Sequence, residues 1–289
     1  MFYMRLLVTA DLHYNHAKSK TLAREAIGQM NAAGGDGVLV IGDTAAADGP
    51  ELEECLSLFA IPGPRLFVAG NHELWTMGPD SLRLFQEDLP RRVKSIGWQW
   101  LQNEPFVVDA AAIVGSLGWY DYTFAQRSLG IPDRFYRQKI SPGAAERFDE
   151  LGHLFDPRDD IAPPAMQIVA RWNDGRYVHL GRSDEAFLNE LLTTLAAQLD
   201  ALSSCPRVIA AVHHLPFHEL LPPSHSGQWD FAKAYLGSEK IGDLLLRYPN
   251  VREVFCGHSH FPAEANVGHI RAVNIGSGYR NKTFLTLDL

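Results

Sequence analysis

The sequence predicts an α/β fold, and three features carry that expectation. Short apolar runs alternate with amphipathic stretches through the first third of the chain. Several buried runs end in clusters of Asp, Asn and His, and closely spaced β runs occupy the C-terminus. In order, residues 4–10 (MRLLVTA) read as a buried strand, 17–33 as a helix and 37–41 (GVLVI) as a second buried strand. Residues 51–60 read as a helix and 65–69 (RLFVA) as a third strand. Strands alternating with helices imply parallel βαβ units whose sheet is covered on both faces. Between 100 and 115 lie two or three β runs, including 106–109 and 111–115, at the spacing of hairpins rather than crossovers.

From 118 to 182 the pattern gives way to aromatics, proline and charge, among them Trp119, Tyr120, Tyr122, Phe135, Tyr136, Pro163, Pro164, Trp172 and Tyr177. This stretch reads as an elaborated insertion with some helix, inside one domain spanning 1–289. Ser183 suits the N-cap of a helix running to 201, with Asp184 and Glu185 in its first turn. Residues 207–212 (RVIAAV) form another buried run. Gly237-Ser238 precedes a helix to Tyr248, and 251–256 is a further strand. The segments 264–267, 270–275 and 283–287 read as antiparallel strands.

Composition narrows the class. Of 289 residues, 46% are hydrophobic and 21% charged, which excludes disordered and fibrous chains. Lys+Arg 26 against Asp+Glu 34 gives a net charge of −8. That disfavours non-specific binding to nucleic acid or anionic membrane, while a local basic groove stays open. Cys55, Cys205 and Cys256 are scattered without a C-x-x-C pair, which argues against a disulfide framework or a cysteine zinc site and fits a reducing compartment. No segment reads as a bilayer span, and the first ten residues lack the pattern of a signal peptide; a cytoplasmic location is the expectation.

The chemistry follows the buried runs. Asp11-Leu12-His13 comes after the first, Gly42-Asp43 after the second and Gly70-Asn71-His72-Glu73 after the third. His213-His214 follows 207–212, and Gly257-His258-Ser259-His260 follows 251–256. Ligands of open α/β sheets bind beyond the carboxyl ends of the strands, so these clusters should converge on one crevice. Carboxylate, imidazole and amide without thiolate suit borderline divalent metals. Alternation in Asp11-x-His13 and His258-x-His260 predicts that each pair projects from one side of an extended segment. Asp43 is placed to bridge two cations roughly 3.5–4 Å apart, the arrangement that clamps attacking and leaving oxygens in phosphoester displacement. Singly, each motif has a plain reading: a strand end, a turn, a packed histidine, or Glu73 capping the next helix. Their joint, ordered occurrence favours metal.

Taken together, D-x-H, G-D, G-N-H-E, a strand-terminal His and G-H-x-H resemble the motif set of the calcineurin-like metallophosphoesterase superfamily, over residues 11–260. The resemblance implies a four-layer α/β/β/α sandwich of two mixed β-sheets flanked by helices. It implies two divalent cations, drawn from Mn, Fe, Zn, Ni, Co or Mg. By that likeness Asp11, His13 and His260 hold one ion, Asn71, His213 and His258 the other, and Asp43 both. His72 matches the histidine that contacts the phosphate and protonates the leaving oxygen. The choice of His213 over His214 rests on family habit, since consecutive strand residues face opposite ways.

Protein Ser/Thr phosphatases of the superfamily carry G-D-x-x-D-R-G, whereas Gly42-Asp43 continues Thr44-Ala45-Ala46-Ala47-Asp48. The phosphodiesterase and small-phosphatase branches are closer, and the implied substrate is a phosphate ester of small-molecule size. A nuclease and a non-catalytic scaffold are the alternatives. Trp119, Tyr120 and Tyr122 read either as core or as a cap over the substrate, Arg127, Arg134 and Arg137 as solvated surface, and 172–175 as a turn that the cleft could adjoin. His153, His179, His218 and His225 lack metal-ligand spacing.

Overall fold

Strands that are apolar at every position need cover on both faces, and the runs of this chain obtain it. The computed structural model describes residues 4–78 and 80–289. In the first sheet β1 (Arg5–Ala10), β2 (Gly37–Ile41), β3 (Arg65–Val68) and β4 (Gln99–Trp100) run parallel. The second holds β5 (Phe106–Val108), β6 (Ala111–Ser116), β7 (Arg207–Val212), β8 (Val251–Cys256), β9 (Ala263–Val267) and β10 (Ile270–Asn274), in the order β5-β6-β7-β8-β10-β9. The last strand, β11 (Phe284–Asp288), returns to the first sheet and pairs antiparallel with β1.

Side-chain alternation explains the layers. Leu6, Val8 and Ala10 of β1, with Leu39, Ile41, Leu66 and Val68, pack between the sheets against Ile113, Ile209, Ala211, Phe255 and Val273. The alternate positions Leu7, Val38, Val40 and Phe67 share a second apolar cluster with Ala23, Ile27 and Met30 of α1 (Ala17–Ala33) and Leu52 and Leu56 of α2 (Glu51–Leu56). On the second sheet Ala112, Val114, Val208 and Val212 join the same cluster as Phe187, Leu191 and Leu195 of the long helix Asp184–Ala201 and Leu245 of the helix Glu239–Leu246. Two mixed sheets flanked by helices result. Ser183 does cap Asp184–Ala201, its hydroxyl accepting from Ala186 N at 3.1 Å.

Three local expectations change. β5 and β6 form the hairpin, but β4 leaves that group and joins β3 in the other sheet. Likewise β10 is antiparallel to β9 yet parallel to β8, and β11 pairs with β1 rather than with its sequence neighbour. Local spacing carries no information about which sheet a strand joins. A helical stretch also runs through Ser81–Arg83, Leu84–Asp88 and Leu89–Ser95, where Pro90 obscures the periodicity. Residues 117–183 contain only short helical turns among loops. Among the described residues no helix is long and apolar enough to cross a membrane.

Candidate metal centre

All the expected side chains follow strand ends: Asp11 and His13 follow β1, Asp43 follows β2, Asn71 and His72 follow β3, His213 follows β7, and His258 and His260 follow β8. The backbone there is not extended. Asp11 (φ 53°), His13 (43°), Asp43 (51°), His258 (67°) and His260 (57°) all sit in the left-handed region. This corrects the expected alternation: each D-x-H or H-x-H converges by a sharp reversal, not by projecting from a strand face. The left-handed conformation costs a non-glycine residue about 1–2 kcal/mol, and such strain gathers where surrounding structure over-determines it. Here the loops are stitched together. Asp11 N donates to Gly42 O (3.0 Å), His13 N to Asp43 O (2.8 Å), Gly257 N to His213 O (3.1 Å) and His258 N to Asp11 Oδ1 (2.9 Å).

Gly70 shows how tightly this is packed. A β-carbon there would meet Asp43 Oδ1 at 2.2 Å and Asp43 N at 2.5 Å. Gly70→Ala should therefore displace the Asp43 loop and destabilise the fold by about 3 kcal/mol. For a chain of this size that lowers the melting temperature by about 6 °C. Calorimetric melting checks it, and an unchanged Tm contradicts the packing described.

Two groups of ligand atoms meet within 4.8 Å of one another: Asp11, His13, Asp43 and His260, and Asp43, His213 and His258. Asp43 belongs to both. Its Oδ1 stands 3.2 Å from His213 Nε2, and its Oδ2 3.8 Å from both His13 Nε2 and His72 Nε2. His13 Nε2 and His260 Nε2 are 2.8 Å apart. Two imidazole nitrogens so close cannot both carry hydrogen; they share a proton or converge on a cation. His213 donates from Nδ1 to Ile41 O (3.1 Å) and His258 from Nε2 to Tyr235 O (3.2 Å), which leaves His213 Nε2 and His258 Nδ1 as the nitrogens that would face a cation. Asn71 lies beside the second group; its Nδ2 donates to Asp174 Oδ1 at 2.8 Å. Buried Asp11 Oδ2, Asn71 Oδ1 and His258 Nδ1 have no hydrogen-bond partner among the described residues. An acceptor-rich, largely buried cluster of this kind fits divalent cations. His214 stands in neither group; its Nδ1 donates to Leu117 O at 3.0 Å, and its ring packs between those of His258 (4.2 Å) and Trp119 (5.0 Å).

Electrostatics divide the imidazoles. Burial alone would lower His213, but the Asp43 carboxylate beside it raises it to about 9, so without a cation this ring is charged. Burial lowers His13 and His258 well below the ordinary histidine value and His260 to about 4, so their rings are neutral and able to bind metal. Burial alone would raise Asp43, but His213 and His72 beside it hold its carboxyl well below the usual range. Burial pushes Asp11 up to about 8 against the pull of His213. A buried carboxyl this hard to ionise is one that a cation would stabilise.

Several residues that shape the site were not anticipated in these roles. Glu73 does not cap a helix. Fully buried, it accepts from Gly70 N (2.6 Å), Asp43 N (2.9 Å), Thr44 N (2.6 Å) and Ala45 N (3.1 Å), locking two ligand loops together. Asp174, from the 172–175 turn, accepts from Asn71 Nδ2, Trp75 Nε1 (2.6 Å), Trp172 Nε1 (2.7 Å) and Tyr120 Oη (3.1 Å). Tyr279 stacks on His13 at 4.3 Å, and Lys282 Nζ donates to Asp11 O at 2.6 Å. The signal for Asp174 was an acid amid aromatics in the insertion; nothing local marked Lys282. Trp119, Tyr120 and Tyr122 are core, with Trp119 Nε1 on Asp184 Oδ1 at 2.8 Å. Arg134 and Arg137 pair with Asp160 (2.6 Å) and Glu185 (3.1 Å), and Arg127 pairs with Asp133.

The buried acid-and-imidazole double cluster at the strand ends of a two-sheet sandwich could hold metal ions. The family model for calcineurin-like phosphoesterases matches residues 4–262, and the chain belongs to that family. Phosphopantetheinyl hydrolase from Mycobacterium tuberculosis shares its fold, with TM-score 0.67 and 21% identity over 95% of this chain and 89% of that one. A dimetal phosphatase from Danio rerio superposes with TM-score 0.55 and 15% identity, covering 98% of this chain and 91% of the other. No curated protein matches the chain in sequence.

Proposed function

We propose that the chain is a two-metal hydrolase of a small phosphomonoester or phosphodiester, one catalytic domain over 1–289 in which 118–182 supplies a wall of the cleft. The observation that carries this is Asp43, whose carboxylate is common to both ligand groups. Asp11, His13, His260 and Asp43 would hold one cation, and Asn71, His213, His258 and Asp43 the other. Two divalent ions there supply Lewis acidity toward the phosphate and toward an attacking water. The chain does the rest. Glu73 and the left-handed loops hold the donors at fixed separation, so little reorganisation is left for catalysis to cost. His72 lines the cleft, its ring stacked on Trp75 at 3.7 Å, and is the residue type suited to passing a proton to the leaving oxygen.

The test is elemental analysis of the purified protein together with Mn²⁺-supplemented turnover of 4-nitrophenyl phosphate and bis(4-nitrophenyl) phosphate. About two metal equivalents and turnover of either ester are expected. A chain that binds no metal, or that binds two and hydrolyses neither, contradicts the proposal. The cleft, about 260 Å³, favours a small ester over a polymer.

Asp174 orients Asn71 by accepting one of its amide hydrogens. Asn at 174 would offer one acceptor oxygen to four donors. Asp174→Asn should weaken binding of one of the two metals by about 10- to 100-fold, as loss of a group supporting a ligand does. Calorimetric titration with Mn²⁺ reads this directly, and two wild-type affinities contradict it.

A further inference from the structure

Resting on the two-metal hydrolase reading, we propose that the organic part of the substrate is a planar conjugated ring bearing a second anionic group. Beyond the ligand cluster the cleft is walled by Trp75, Trp172, Trp229 and Tyr279, with Leu236 among them. The first two rings are fixed in place. Asp174 takes both of their indole N–H groups, Oδ1 from Trp75 and Oδ2 from Trp172. Trp75 also stacks on His72, and Trp172 lies flat against Tyr235 at 5.2 Å and 9°. Tyr279 stacks on His13 at 23°. Trp229 stacks on His225 at 5.3 Å, and its indole N–H has no partner among the described residues. Trp75 is stacked on Tyr177 as well (5.1 Å), whereas Trp172, Trp229 and Tyr279 each have one stacked neighbour; rings held this way lose little freedom when a ligand arrives, so a second face can stack at small entropic cost.

Arg171 supplies the charge. It is the one Lys or Arg lining the cleft, and it makes no ion pair among the described residues. Its guanidinium lies over the Phe148 ring at 4.8 Å, and its backbone is pinned by a bridge to Ile140 and by Trp172 N donating to Lys139 O at 2.9 Å. In a chain of net charge −8, an exposed arginine that lines the cleft without a carboxylate partner is the side chain there suited to a second anion on the same ligand.

Non-hydrolysable phosphonates separate this proposal from the catalytic one, because binding is read without turnover. Dissociation constants are measured by calorimetry on the Mn²⁺-loaded full chain with phenylphosphonate, cyclohexylphosphonate and 4-carboxyphenylphosphonate. Phenyl should bind about fivefold tighter than cyclohexyl, which matches it in size but cannot stack. The added carboxylate should gain about fivefold more, a gain that Arg171→Gln abolishes. Trp229→Leu should reduce the phenyl preference while keeping the carboxylate gain, which distinguishes a lost wall from a misfolded protein. Equal binding of phenyl and cyclohexyl, no binding of any of the three, or a carboxylate gain that survives Arg171→Gln overturns the proposal. Hydrolysis of 4-nitrophenyl esters alongside any of these results leaves the hydrolase reading standing on its own.

Discussion

Asp43→Asn should strip the protein of both cations and reduce turnover by roughly 10³-fold, the equivalent of about 4 kcal/mol of transition-state stabilisation. The substitution keeps shape and one acceptor oxygen, so His72 N, which donates to Asp43 Oδ1 at 2.9 Å, retains a partner. What is lost is a negative charge that faces His13, His72 and His213 at once. Folding should survive, because Glu73 holds the Asp43 loop through backbone N–H groups and not through the Asp43 carboxylate. Elemental analysis beside a calorimetric melt separates the two effects. A variant that melts as wild type and still carries two metal equivalents contradicts the bridging role.

His72→Ala should behave differently, leaving metal content near wild type while slowing esters in proportion to how poor their leaving group is. A proton donor contributes about 10²- to 10⁴-fold where the departing alkoxide is strongly basic. It contributes far less for 4-nitrophenolate, which leaves without help. The measurement is kcat/KM across a series of aryl and alkyl phosphates, plotted against leaving-group pKa for both proteins. A steeper slope in the variant is the expected result; parallel lines contradict proton donation. Because His72 is stacked on Trp75 and edge-on to His13 at 4.5 Å, metal content and a melt must accompany the kinetics.

The strands that lead into the site were legible because they are apolar at nearly every position and end in an abrupt polar cluster, as Gly37–Ile41 before Asp43 shows. Convergence of Asp11, Asp43, Asn71, His213 and His258 was legible from the same rule, since parallel strands deliver their C-terminal ends to one edge. Sheet membership was not. Gln99–Trp100 and Phe106–Val108 are near neighbours in sequence, yet packing sends them to different sheets. Backbone form at the ligands was also beyond local reading, because a left-handed Asp11 or His258 is selected by contacts from distant loops and opposed by its own preference. Asp174 and Lys282 escaped for a related reason: each acts on a ligand about 100 or more residues away, and neither stands in a motif. The aromatics of 119–122 admitted two readings until burial decided for the core.

Pairing of the final strand with the first governs the order in which the molecule can be completed. β1 has β2 on one side, but its other edge is filled only by Phe284–Asp288, and Lys282 braces the loop that carries Asp11. The imidazoles of His13 and His260 meet across a sequence separation of 247 residues. On the ribosome, therefore, a half-made polypeptide exposes an open sheet edge and cannot yet gather its acids and imidazoles. Closing so long a loop makes assembly of the cluster a late event.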